Sequence, residues 1–308
     1  MIDESNKNAE KLVGVEVSDS CFKAVCLDNN KTLADTFKIS CDEEQKTFSQ
    51  LIDFINEIKA RFGGFERIGI AVPGLVNQQT KRVAFSTHIP EHEEIDFLRE
   101  IEAATNLKIT VENDANAGAY GEFILGAGRG SGSMFYATLG TGVGGAFVFD
   151  GKIWRGASGF AGEFGHITLN SEGMRLEDVA SARNIVRRTR SRFHQDHTSS
   201  LNRLTEERIK IADVIDAAQK HDDFAQMMLA RTGSYVGTAV AEVINLLNVE
   251  MVIVGGEILQ ATDLVLDAII NRAKELSFPP SFASTRIVGG KLGENAAAIG
   301  AALLTSET

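Results

Sequence analysis

A two-domain α/β protein is the fold class that this sequence predicts, and three observations carry it. Strand-like and helix-like segments alternate along the chain. A strand-strand-strand-helix-strand-helix block is followed, from about Ser133, by a similar but expanded block. The length, 308 residues, suits two domains at about 100–200 residues each. Two related halves imply a cleft between them, and such clefts are where small ligands bind.

Each element follows from its pattern. Leu12–Val17 and Phe22–Leu27 are apolar runs of strand length, and a third strand reaches about Ser40 after an Asp28-Asn29-Asn30 turn. Glu43 to Phe62 carries Phe48, Leu51, Ile52, Ile55 and Ile58 at helical spacing. Arg67–Val72 is a strand stopped by Pro73-Gly74, Lys81–Phe85 another, Ile95 to Thr105 a helix, Lys108–Val111 a strand and Ala115 to Leu125 an Ala-rich helix. Ser133–Thr138 and Val143–Phe149 are strands around a glycine loop, and Asp150-Gly151 is a turn. Helices dominate from Leu176, over Ala212–Gln219, Phe224–Leu247, Ile258–Leu276 and Glu294–Leu304, with short strands at Met251–Val254 and Thr285–Val288. Phe193 to Lys210 is the least structured stretch.

Composition narrows the function. Acidic residues outnumber basic ones, 42 to 31, for a formal net charge of −11, which argues against nucleic acid as the main partner. The five arginines of Arg183–Arg192 read as a solvated helix face. Residues 1–11 lack the apolar core of a signal peptide, and no apolar run approaches the ~20 residues of a membrane span. Cys21, Cys26 and Cys41 have no metal-ligand spacing, and the first two read as reduced thiols in a strand. A cytoplasmic protein is expected.

Four segments can carry chemistry. Asn113-Asp114 lies between a strand and a helix; both residue types are preferred helix caps, and a carboxylate at a strand's end can also orient a hydroxyl and accept its proton. Leu139-Gly-Thr-Gly-Val-Gly-Gly145 is followed by strand, not helix, so it is neither a dinucleotide fingerprint nor a P-loop. A glycine turn between strands can still present amides to phosphate oxygens. Glu163 and His166, three apart, read either as an exposed acid and a hydrogen-bonded imidazole or as hydroxyl ligands, and their spacing gives a metal little support. In Val252-Ile-Val-Gly-Gly256, small residues punctuate a strand end or leave room for a planar base.

Taken in this order, these segments resemble the ROK family (repressor, open reading frame, kinase), which contains bacterial glucokinases, fructokinases, N-acetylhexosamine kinases and sugar-responsive repressors. The resemblance runs from about Leu12 to Ala302. Its strongest pieces are Val111 to Glu122, Thr138 to Ala146 and Arg155 to His166; Ala71 to Val76, Leu176 to Ala182, Val252 to Gly256 and Gly293 to Ala302 support them. It implies an actin-like ATPase (ribonuclease H-like) fold, with an N-terminal domain of residues 1–113 completed by helix 294–308 and a larger domain of residues 114–293. It implies Asp114 as catalytic base, with Asn113, Glu163, His166 and Glu177 as sugar-hydroxyl ligands. Further sugar contacts would fall at Gly74, Thr87 and His88. Gly140, Thr141 and Gly142 match a phosphate loop, and Gly255 and Gly256 the adenosine-side turn. ATP and Mg²⁺ would be bound, and the chain would form a homodimer.

Two departures matter. Relatives often carry a Cys-rich zinc loop between the counterparts of His166 and Glu177; this gap holds no cysteine, so no zinc is expected. Relatives usually open with Asp-x-Gly-Gly-Thr, whereas this chain has Glu16-Val17-Ser18-Asp19-Ser20. An Asp19 charge about 5 Å from a phosphate charge costs about 3 kcal/mol at an effective dielectric near 20, unless it turns outward or Mg²⁺ intervenes. Ser18 and Ser20 could donate hydrogen bonds, and Glu16 could stand in for Asp beside the Mg²⁺ water shell.

The leading expectation is an ATP-dependent hexose kinase, acting on glucose O6. The alternative is a catalytically weak or inactive sugar-binding sensor. Polyphosphate as the phosphate donor is a smaller alternative. The first strand begins near residue 12, so no DNA-binding helix-turn-helix is expected ahead of it.

Overall fold

The structure is a computed structural model that describes residues 11–307 apart from 19, 43, 79, 81, 87–95 and 262. Strands β1 (Leu12–Val17), β2 (Cys21–Leu27) and β3 (Leu33–Ser40) form an antiparallel meander, with Leu12 opposite Leu27 and Cys21 opposite Ser40. β1 and β2 are almost wholly buried, whereas the edge strand β3 alternates between half-buried and exposed residues. Helix α1 (Thr47–Phe62) buries Leu51, Phe54, Ile55, Ile58 and Phe62. β4 (Arg67–Val72) pairs parallel to β1, and β5 (Leu75–Asn77) and β6 (Arg82–Phe85) make a separate hairpin. Helix α2 (Phe97–Thr105) leads to β7 (Lys108–Asn113), parallel to β4, and to α3 (Asp114–Ile124). The sheet order is β3-β2-β1-β4-β7.

The same arrangement recurs in the second half. β8 (Ser133–Leu139), β9 (Val143–Phe149) and β10 (Lys152–Trp154) form a meander. Helices α4 (Glu177–Ala180), α5 (Ala182–Arg190), α6 (Ile211–Gln219) and α7 (Asp223–Leu247) precede β11 (Met251–Gly255). Then come α8 (Asp263–Leu276), α9 (Pro279–Ser284), β12 (Arg286–Gly289) and α10 (Ala296–Leu304). β8, β11 and β12 run parallel, and the sheet order is β10-β9-β8-β11-β12. Two sheets, each an antiparallel meander extended by two parallel strands, are the doubled α/β pattern read from the sequence.

The chain divides into two compact units. One comprises Met1–Ile124, Arg155–Ala161 and Asn295–Thr308; the other comprises Leu125–Trp154 and Gly162–Glu294. In the first, α10 packs against α3 and against β1 and β4. The approach needs glycine: a Cβ on Gly300 would lie 1.7 Å from the Ala117 carbonyl oxygen. In the second, α7 packs along α8, and the core gathers Phe135, Phe147, Phe164 and Phe193 with the buried faces of α6, α7 and α8. Among the described residues no helix is long and apolar enough to cross a membrane.

Some local readings differ from the structure. The 193–210 stretch holds three single turns of 3₁₀ helix, pinned by the buried side chains of Phe193, Leu201 and Ile209. The arginine run is not a uniformly solvated face. Arg190 donates to the carbonyls of Glu207 and Ile209, and Arg188 donates to Thr232 and lies over the Tyr235 ring.

Candidate functional site

In the first unit the candidate site centres on the corner between β7 and α3. Asn113 ends a strand and caps the helix: its Oδ1 accepts the Asn116 amide at 3.0 Å. Its side-chain amide donates to the Gly74 carbonyl at 2.9 Å and to Asp114 Oδ1 at 3.0 Å. Asp114 Oδ1 also accepts the Ala115 amide at 2.8 Å. Gly74 is thereby tied to the corner by its carbonyl, with φ at 110°. The helix-capping role weighed for this pair is real, and the same bonds fix the orientation of the Asp114 carboxylate.

The corner has a partner that the sequence reading missed. Glu112, one residue before Asn113, is 3% exposed and accepts Arg155 Nη2 at 2.6 Å. Arg155 opens the Arg155–His166 segment already singled out, and a lone acid inside an apolar strand is the signal that could have drawn attention to Glu112.

The altered first loop is a closed turn. Ser18 Oγ donates to the Cys21 carbonyl at 2.8 Å and accepts the Cys21 amide at 3.2 Å. The hydroxyl expected to face phosphate is therefore engaged within the turn. The exposed Ser20 accepts the Cys41 amide through its carbonyl at 2.8 Å. Glu16 meets the largely buried Lys23 across the strand pair at 3.4 Å, so its charge is opposed by an ammonium. Asp19, Thr87 and His88 lie outside the described residues.

The second unit brings Glu163, His166 and Glu177 into one neighbourhood. Glu163 heads a single 3₁₀ turn, Phe164–His166, and accepts the His166 amide through its carbonyl at 3.0 Å. Partial withdrawal from water holds the Glu163 carboxyl above its ordinary range; His166 opposes that rise and the Glu177 charge adds to it. Glu177 Oε2 accepts the Val143 amide at 3.0 Å and would lie 3.2 Å from a Cβ on Gly165. A sugar-ligand candidate thus holds the end of the glycine loop. In that loop Gly140 N donates to the Gly142 carbonyl at 3.0 Å, and Thr141 and Gly142 stand exposed. The Ala182 amide, opening α5, donates to the Gly140 carbonyl at 2.8 Å.

Gly255 and Gly256 serve the protein's own packing. A Cβ on Gly255 would meet the Tyr136 hydroxyl at 2.5 Å, and one on Gly256, with φ at 95°, would meet the Leu139 carbonyl at 2.3 Å. The strand-to-helix turn needs glycine for the approach to β8, whatever ligand it also admits.

The gap between His166 and Glu177 is a small hairpin. Thr168 bridges Arg175, the Leu169 amide donates to Met174, and Asn170 Oδ1 accepts the amides of Glu172 and Met174. Its residues do not fit zinc, since it offers no thiolate, and among the described residues no group of three or more His, Cys, Asp or Glu could hold a metal ion.

The ROK family model matches residues 12–308. A glucokinase from Thermotoga maritima is 30% identical over 96% of this chain and 98% of its own. A xylose repressor from Bacillus spizizenii is 27% identical over 98% of this chain and 78% of its own. Among solved structures, a ROK family glucokinase from Streptomyces griseus, in complex with glucose and AMPPNP, superposes with a TM-score of 0.86 at 28% identity, over 97% of this chain and 100% of that one.

Proposed function

We propose, from the premise that the chain belongs to the ROK family and has its actin-like ATPase fold, that it transfers the γ-phosphoryl group of ATP to a hexose hydroxyl, the O6 of glucose. The observation that carries this reading is the Asn113–Asp114 corner. There, a carboxylate held through Oδ1 by the Ala115 amide and the Asn113 side chain is presented at a strand end. Asp114 takes the proton as the sugar oxygen attacks phosphorus. Asn113, Glu163, His166 and Glu177 orient the sugar hydroxyls, and Gly74, Thr87 and His88 are assigned as further sugar contacts. The amides of Gly140, Thr141 and Gly142 meet the phosphate charge, and Gly255 and Gly256 border the adenosine. Mg²⁺ bound with ATP supplies charge neutralisation. The glucose and AMPPNP held by the Streptomyces griseus relative support this choice of ligands. A cytoplasmic homodimer is the working form.

A sugar sensor is the second reading, and one observation favours it. The Ser18–Cys21 turn uses its hydroxyl internally where a kinase loop would offer bare glycine amides to phosphate. The xylose repressor relative points the same way.

A coupled ADP-release assay with Mg-ATP tests both, against glucose, fructose, mannose, allose, N-acetylglucosamine and N-acetylmannosamine. Sugar-dependent ADP release establishes the kinase and names its substrate. No release from any sugar, with one of them raising the Tm, establishes the sensor.

A further inference from the structure

Glu112 gathers more bonds than a single ion pair needs. Oε1 accepts the Asn113 amide at 3.0 Å and Asn116 Nδ2 at 3.0 Å. Oε2 accepts Gln78 Nε2 at 3.2 Å, and both Nε and Nη2 of Arg155, at 3.0 and 2.6 Å. A buried carboxylate is costly unless its lone pairs are met, and here they are. The bonds to Asn113 and Asn116 grip the two residues that bracket Asp114 and Ala115. The bonds to Arg155 bring in another stretch of chain, 155–161. That stretch is closed by the Ala161 amide on the Arg155 carbonyl at 3.1 Å. It also lies close to β5: a Cβ on Gly159 would sit 3.0 Å from the Val76 carbonyl.

An apolar contact could hold these segments together as firmly. It would not set their orientation. Two N–H donors of one guanidinium that converge on Oε2 constrain direction as well as distance, because the guanidinium is planar and its donors are rigid.

We propose that Glu112 and Arg155 are positioning residues for phosphoryl transfer: their buried pair locks segment 155–161 to the end of β7 and so holds the Asp114 carboxylate in the orientation that proton abstraction requires. This rests on the reading of Asp114 as the base of a sugar kinase. Neither residue touches the sugar; both act through the Asn113–Asp114 corner.

The test is steady-state kinetics on the full chain, with Mg-ATP and the hexose that the wild type phosphorylates best. The variants are Glu112→Gln, Arg155→Met, Arg155→Lys and the double variant Glu112→Gln/Arg155→Met, each with its Tm. Sugar affinity without nucleotide is read from the fluorescence of Trp154, the only tryptophan and the chain neighbour of Arg155. The expected result is a fall in kcat of about 100-fold for Glu112→Gln and for Arg155→Met, as for a small misplacement of a catalytic group, with sugar affinity within about threefold. The double variant should be no slower than the worse single one, because both remove one device. Arg155→Lys, which keeps the charge but loses the fork, should recover part of the rate. If Glu112→Gln fails to fold, the two Arg155 variants carry the test, since that side chain is 32% exposed. A lowered Tm with kcat unchanged overturns the positioning role and leaves the kinase reading intact. A wild type that phosphorylates no hexose overturns both.

Discussion

The Val143 amide donates to the Glu177 carboxylate at 3.0 Å, so one oxygen of a sugar-ligand candidate is already committed to the glycine loop. Glu177 opens α4, and Val143 is the first residue of β9, directly after Gly140-Thr141-Gly142. The loop and the sugar-ligand candidates of the second unit therefore share a side chain.

Glu177→Ala and Glu177→Gln should separate the two roles. Alanine leaves the largely buried Val143 amide without its acceptor, which costs about 1–3 kcal/mol, and should raise the KM for both sugar and nucleotide. Glutamine keeps an acceptor oxygen for that amide but loses the charge. It should raise the sugar KM while leaving the nucleotide KM near wild type. Equal effects of the two variants on the nucleotide KM would remove the loop-holding role.

Asp114→Asn should lower kcat by about 10²–10⁴, the usual contribution of a positioned general base. Asparagine retains an oxygen for the Ala115 amide, so the corner should keep its shape and sugar affinity should stay within about threefold. Wild-type turnover in this variant would leave Asp114 as part of the helix start and nothing more.

Ser18→Ala tests the altered first loop. The hydroxyl donates to Cys21 O at 2.8 Å and accepts from Cys21 N at 3.2 Å. Its loss should lower stability by about 1 kcal/mol while the nucleotide KM moves less than about twofold. The opposite result, a nucleotide KM raised at unchanged stability, would mean that the hydroxyl turns to phosphate in the bound state.

The doubled α/β architecture was legible because each repeat writes its own pattern. β1, β2, β4, β8 and β11 are apolar runs of strand length, and α1 shows its buried stripe at Leu51, Ile55 and Ile58. β5 and β10, three residues each, were missed because so short a run has no measurable period. The arginine run misled for a different reason. Charge counting cannot show that Arg190 turns inward to satisfy two carbonyls while Arg183 stays exposed. In the candidate site, Asn113, Asp114 and Gly74 come together because β4 and β7 are parallel neighbours that place Val72 beside Asn113. Glu112 and Arg155 are 43 residues apart in sequence, and no local pattern pairs them. The same holds for Glu177 and Val143, whose bond depends on how α4 returns to the glycine loop.

The Glu163 carboxyl gives a pH signature. Its pKa is raised above the ordinary value of 4.5, first because the site withdraws it from water, with the Glu177 charge adding to the rise and His166 opposing it. The folded protein therefore holds this proton more tightly than the unfolded chain does. The stability so gained is fully present below the ordinary value and is lost as pH rises through the raised one. Above its raised pKa an ionised Glu163 is a burden on the fold, and Glu163→Gln should raise the Tm there. That advantage should disappear in acid, where wild type is protonated too. Sugar binding should run the other way, since only the ionised form accepts hydroxyl donors through both oxygens. Affinity read from Trp154 fluorescence should weaken as pH falls, beginning above the range of an ordinary glutamate, and Glu163→Gln should bind weakly at every pH. A Tm difference between wild type and Glu163→Gln that does not change from pH 7 to acid would show that Glu163 titrates like a free carboxylate. A sugar affinity equally flat over that range would remove Glu163 from the sugar site.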